Sequence, residues 1–138
     1  MKKIILHLSI LVIVNCSKVD SDKKLISCTK NPNAQSIVHD DLEREYLIFV
    51  PDSYNQSLAT PMMLNFHGFA GTASDYMRYA DMRSVAESEN FILVYPQGSC
   101  SDGLSHWNPC PRGEENKSTA DDLGFIEAMI NDISSQYN

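Results

Sequence analysis

Apolar and polar positions along residues 37–138 fall into short blocks whose period changes from block to block. Ile37-Val38 and Tyr46-Leu47-Ile48-Phe49-Val50 read as two strands around a polar turn at His39-Asp40-Asp41. Pro51 cannot donate to a ladder and marks the end of the second. Met62 to Phe66 and Phe91-Ile92-Leu93-Val94-Tyr95 are continuous apolar runs, the pattern of strands buried on both faces, and Pro96 stops the later one. Between these runs the period becomes helical. Thr72 to Tyr79 predicts a short helix. Asp81 to Glu89 predicts a second, with Met82, Val85 and Ala86 on one face and Asn90 placed to end it in the left-handed conformation. Leu123, Ile126, Met129, Ile130 and Ile133 form the apolar stripe of a last helix. Ser118 or Thr119 can cap it, with Asp121 and Asp122 favourable in its first turn.

The predicted order is hairpin, strand, helices, strand, loop, helix. Strands alternating with helices predict an α/β fold with a mostly parallel sheet after the initial antiparallel hairpin. The last helix has a face set to cover a sheet, and another strand is expected after it. Residues 96–117, rich in Gly, Pro, Ser and Asn, are expected to form one long loop, and such loops in compact domains are often functional.

The first residues have a different pattern. Lys2 and Lys3 precede an apolar stretch from Ile4 to Val14, too short for a bilayer span of roughly 20 residues but suited to an export signal. Ile13-Val14-Asn15-Cys16 resembles a bacterial lipobox, which makes Cys16 the lipidation candidate, although Asn15 departs from the usual small residue. Residues 1–16 are thus expected to be a signal peptide, 17–36 a polar tether and lead-in, and 37–138 the folded domain. The expected location is exported and membrane-anchored through lipid, with plain secretion as the alternative.

Composition narrows the function classes. The chain is 43% hydrophobic and 21% charged, which is ordinary for a globular protein, and its net charge of −7 argues against a nucleic-acid partner. The same charge disfavours electrostatic docking on anionic lipid, leaving a lipid anchor as the expected route to a membrane. Export implies an oxidising compartment. Cys100 and Cys110 flank a loop containing Gly103 and Pro109, and a disulfide between them is the expected pairing, with Cys28 as the odd thiol. Cys100, His106 and Cys110 are one ligand short of a structural zinc site and lack its C-x₂₋₄-C spacing, so a disulfide beside an exposed histidine is preferred and no metal is expected.

Several segments together resemble one family. They are Arg44 to Pro51, Leu64-Asn65-Phe66-His67-Gly68, Asn90 to Gly98, Trp107, and Asp121-Asp122-Leu123-Gly124-Phe125. In this order they resemble the secreted polyhydroxybutyrate depolymerase and feruloyl esterase group of α/β-hydrolases, over Ile37 to Tyr137. The resemblance implies the N-terminal part of an α/β-hydrolase fold, incomplete at its C-terminus. It also implies a serine carboxylic-ester hydrolase with a Ser…Asp…His triad, no cofactor, and an ester substrate of plant-wall or polyester type.

Within that resemblance, His67-Gly68 is the turn after a buried strand, and the Phe69 backbone N–H maps to half of an oxyanion hole. The glycine is expected to let the backbone turn without a Cβ clash. The nucleophile belongs in a G-x-S-x-G elbow between a strand and a helix. The sequence contains no such motif, so no catalytic triad residue is assigned, and the elbow is expected beyond Asn138. A chain lacking it is expected to be inactive and to fold poorly alone. Ser101, Asp102 and His106 stand in triad order but crowd one loop, where no scaffold would hold them. Trp107 either packs against substrate or pins its own loop. Asp121 and Asp122 fit a helix-terminal charge pair better than an acid–base dyad. The alternative function is a non-catalytic lipoprotein that binds a glycan or a protein.

Overall fold

The structure, a computed structural model, describes Cys28, residues 30–111 and residues 113–138. The signal-peptide and lipobox assignments, including Cys16, and residues 17–27 of the tether lie outside the described residues.

Nine elements follow one another: β1 (Gln35–His39), β2 (Leu42–Phe49), β3 (Met62–Leu64), α1 (Ala73–Tyr79), α2 (Arg83–Glu89), β4 (Ile92–Pro96), β5 (Ser99–Ser101), β6 (Leu104–His106) and α3 (Asp122–Gln136). The first four strands form one sheet in the order β1-β2-β4-β3, and β5 and β6 form a separate two-stranded ribbon. In the larger sheet β2 is antiparallel to both β1 and β4, and only β3 and β4 run parallel. The β5–β6 ribbon is antiparallel as well.

This corrects the expected mostly parallel α/β-hydrolase sheet: the described strands form a mixed, mainly antiparallel arrangement. The reason lies in the connections. Parallel neighbours need a crossover that carries the chain back along the sheet, whereas a two-residue turn can only reverse it. Residues 65–91, with α1 and α2, make such a crossover between β3 and β4. What departs from expectation is that β2 also runs antiparallel to β4; the expected β1–β2 hairpin is present, with Asp40 and Asp41 both at positive φ (54° and 61°), the twist a two-residue turn requires. Asp102-Gly103, with φ of 54° and 78°, does the same for β5 and β6, so part of the expected long loop is a hairpin.

β4 is buried throughout and organises the core. Ile92 and Val94 face α3, joining Tyr46, Phe125, Met129 and Ile133 in one cluster. Leu93 and Tyr95 face the other way, joining Leu47, Phe91, Ala73 of α1 and Ala86 of α2. The continuous apolar run of β4 is explained by this two-sided burial. Helix ends follow their chemistry. Thr72 caps α1 by accepting from the Asp75 N–H, and Asn90 ends α2 in the left-handed region (φ 52°, ψ 61°). Asp121, in place of Ser118 or Thr119, caps α3 by accepting from the Gly124 N–H.

Candidate functional site

The C-terminal ends of β3 and β4 lie side by side in the one parallel pair. The segments leaving them, His67 to Gly71 and Gln97 to Gly98, meet there. His67 is 3% exposed despite sitting in a loop. Its Nε2 accepts the Gly98 N–H at 2.9 Å, with the Gln97 side-chain amide nitrogen 3.1 Å away. A backbone N–H can only donate, so Nε2 carries no proton. The imidazole proton therefore sits on Nδ1, which donates to the Gly68 carbonyl at 2.7 Å. Burial holds the His67 pKa below the ordinary histidine value, against the opposing pull of that carbonyl, so the ring is neutral.

The Gly68 carbonyl also accepts the Gly71 N–H at 3.1 Å. No peptide bond among the described residues is cis. In a trans peptide the N–H points opposite to the C=O. Two donors hold the Gly68 oxygen on one side, so the Phe69 N–H faces the other. Among the described residues, no acceptor lies on it. The turn borders a groove of about 140 Å³ whose lining includes His67, Gly68, Phe69 and Gly71 on one side and Asp75 and Tyr76 on the other. Phe69 is 61% exposed, and the Lys117 ammonium sits 4.0 Å from its ring centroid.

The role expected of Gly68 moves elsewhere. A Cβ at Gly68 would meet nothing within 4 Å, and its φ is not in the left-handed region. Ala70 is the left-handed residue of the turn (φ 60°), held by its N–H to the Ser105 carbonyl at 2.8 Å. The glycine that the site requires is Gly98. A Cβ there would lie 2.4 Å from the His106 carbonyl oxygen and 3.1 Å from His67 Cε1.

Trp107 is half-buried and faces inward. Its Nε1–H donates to the His67 carbonyl at 3.0 Å, and its ring meets Phe66 edge-on at 5.1 Å and His67 at 5.3 Å. Trp107 thus ties its own segment to the His67 turn.

A buried polar cluster fixes that segment, built on a pairing of Arg44 with Asp122 that the sequence pattern does not indicate. Asp122 accepts from Arg44 Nη2 (2.6 Å), the Ser99 hydroxyl (2.6 Å) and the Asn108 N–H (2.7 Å). The Asn108 side chain accepts the Lys117 N–H and donates to the Ala120 carbonyl. His106, expected to be exposed, is 2% exposed, and its Nε2 meets the Ser118 hydroxyl at 2.9 Å. Burial lowers the His106 pKa too. Asp121 and Asp122 divide their roles, the first capping α3 and contacting His39 Nε2 at 3.2 Å, the second buried against Arg44.

The other candidates are not brought together. Among the described residues Ser101 Oγ is buried without a hydrogen-bond partner, and His106 turns to Ser118 instead, so Ser101, Asp102 and His106 form no relay. The expected Cys100–Cys110 disulfide is replaced by Cys28–Cys100, with Cα atoms 5.4 Å apart. Main-chain pairing of β5 and β6 already closes the loop and sets Cys100 opposite Ser105. Cys100 lines a cleft with Cys28 and Lys30, while the main chain of Cys110 exchanges two hydrogen bonds with the Asn116 side chain. Cys110 is also disulfide-bonded, which leaves no free thiol among the described residues. Among those residues no helix is long and apolar enough to cross a membrane.

Comparison with models of known protein families gives no match, and comparison with curated proteins gives none either.

Proposed function

We propose that this chain carries the oxyanion-binding side of an exported serine carboxylic-ester hydrolase, similar to polyhydroxybutyrate depolymerases and feruloyl esterases. The observation that supports the reading best is the orientation of the Gly68–Phe69 peptide. Its oxygen is occupied from the protein side by His67 and Gly71, and its N–H is left for a ligand. A pre-oriented backbone N–H is the donor that a developing oxyanion needs, because it costs no reorganisation when charge appears. In an ester hydrolase such a donor lowers the barrier to the tetrahedral intermediate, and losing one costs about 10²–10³ in rate.

The reaction is acyl transfer to water, and the ester class is plant-wall or polyester. Nucleophile, acid and base are assigned to none of the 138 residues, so the isolated chain is expected to show no serine-reagent-sensitive hydrolysis of p-nitrophenyl butyrate. The test is to sequence the gene past codon 138 and assay the full reading frame. A strand and G-x-S-x-G within a few tens of codons, with activity lost on substituting that serine, is the expected result. A stop followed by unrelated sequence, or activity from the 138 residues alone, would overturn it.

A further inference from the structure

We propose that Gln97 is the positioning residue of the candidate oxyanion donor, acting on the Phe69 N–H through the tautomer of His67. This builds on the reading of Phe69 given above, but the chain of contacts stands independently of what Phe69 binds.

The Gln97 side chain bridges two elements, and its ends are not interchangeable. The Ala73 N–H, in the first turn of α1, points at Oε1 from 2.9 Å and requires an acceptor there. The NH₂ end is thereby directed at His67 Nε2, 3.1 Å away, and at the Gly98 carbonyl, 3.3 Å away. Its own N–H is fixed on the Glu45 carbonyl at 2.9 Å, which anchors the residue to β2. Gln97 thus presents a donor to His67 from a rigid base. Together with the Gly98 N–H it makes the Nε2 side of the ring a place where only a bare nitrogen fits.

The consequence passes along the ring. With Nε2 bare, Nδ1 holds the proton and binds the Gly68 oxygen. In the opposite tautomer a bare Nδ1 would face that oxygen, lone pair against lone pair, and the Gly68–Phe69 peptide would lose the contact that turns it. The direction of the Phe69 N–H is therefore set from the end of β4, by the Gly98 N–H and the Gln97 amide acting together on His67 Nε2, neither of which touches Phe69. Replacing Gln97 with glutamate keeps the length and the acceptor for Ala73 but puts an acceptor where His67 needs a donor. This isosteric change inverts the instruction without emptying the space.

The test is nitrogen-15 NMR of the full 138-residue chain, reading the His67 ring nitrogens and the amide exchange of Phe69 and Gly71. The wild-type chain is expected to show the Nδ1–H tautomer, fast exchange at Phe69 and a protected Gly71. In Q97E the proton is expected at Nε2, or on both nitrogens, with Gly71 exchange accelerated about fivefold, the loss of roughly one hydrogen bond. A wild-type Nε2–H tautomer, or a Q97E spectrum unchanged at His67, overturns the proposal. Q97M is the second variant should Q97E fail to fold. It removes both amide ends, and unaltered exchange at Gly71 with unshifted Phe69 resonances would overturn the proposal equally. A role in packing alone would change the melting temperature without moving the His67 tautomer. The ester-hydrolase reading fails or stands on the reading-frame experiment, so the two outcomes are separable.

Discussion

Trp107 and His67 are joined by an indole N–H to carbonyl hydrogen bond of 3.0 Å across 40 residues of sequence. The contact secures the loop after β6 to the turn after β3. Trp107 is the only tryptophan in the chain, so its fluorescence reports on this junction. W107F keeps a ring but removes the donor and is expected to cost about 1 kcal/mol, the net value of a typical hydrogen bond. Urea unfolding followed by circular dichroism measures the difference.

Asp122 satisfies a buried guanidinium, a hydroxyl and a backbone N–H at once. Removing one partner of a buried ion pair leaves the other uncompensated. D122A is therefore expected to destabilise the fold by about 3–5 kcal/mol. The double variant R44M/D122L should recover part of this loss in a double-mutant cycle. If D122A unfolds at the wild-type urea midpoint, the network is not what holds α3 to β2.

Gly98 and Gly68 make opposite predictions for the same substitution. G98A drives a Cβ to 2.4 Å from the His106 carbonyl oxygen, so the backbone must shift. Overpacking of this kind costs about 1–3 kcal/mol. G68A meets nothing within 4 Å and is expected to change stability by less than about 1 kcal/mol. Thermal melts of the two variants side by side decide the matter, and equal losses would contradict the geometry.

The buried histidines give a pH dependence with a defined sign. Burial lowers the pKa of His67 and of His106 in the folded chain. The unfolded chain takes up those protons near the ordinary histidine value of about 6.5, whereas the folded chain stays neutral to lower pH. Between those points the unfolded state binds more protons, so stability rises with pH. It is fully present above about 6.5 and is lost as pH falls towards the depressed folded values. The melting temperature is expected to drop between pH 7.5 and 5.5, and H106N should reduce the slope. A flat profile would show that folding leaves the proton affinity of the two rings unchanged.

The Cys28–Cys100 disulfide closes a sequence separation of 72 residues. Removing a disulfide typically costs about 2–4 kcal/mol. C28S/C100S is expected to lose stability in that range without altering the His67 resonances. Peptide mapping under non-reducing conditions should recover the two cysteines in one cross-linked fragment.

How much of this was legible in the sequence depends on the range of the interaction. The two-sided burial of β4 follows from its unbroken apolar run, and the α2 terminus from Asn90, because both are local patterns. The β5–β6 hairpin carried its own signal in Asp102-Gly103, which a reading of the segment as one long loop passed over. Sheet direction is not legible from the alternation of strands and helices, because β2 and β4, which run antiparallel, are not consecutive in the chain and no local pattern orients them. The Arg44–Asp122 pair, 78 residues apart, and the pairing of Cys28 with Cys100 have no periodic signature. They depend on the fold bringing distant segments together. His106 is expected in water once a zinc site is set aside, yet Ser118, twelve residues on and itself held by Asn108, gives its ring a buried polar partner.

β4 is a wall shared by two rooms. Ile92 and Val94 belong to the room furnished by α3, and Leu93 and Tyr95 to the one furnished by α1 and α2. Adjacent residues of this strand therefore touch different neighbours and communicate mainly through the backbone between them. The α3 side could be redesigned wholesale, with new volumes at Phe125, Met129 and Ile133, while the side that supports Ala73 and its contact with Gln97 keeps its furniture in place.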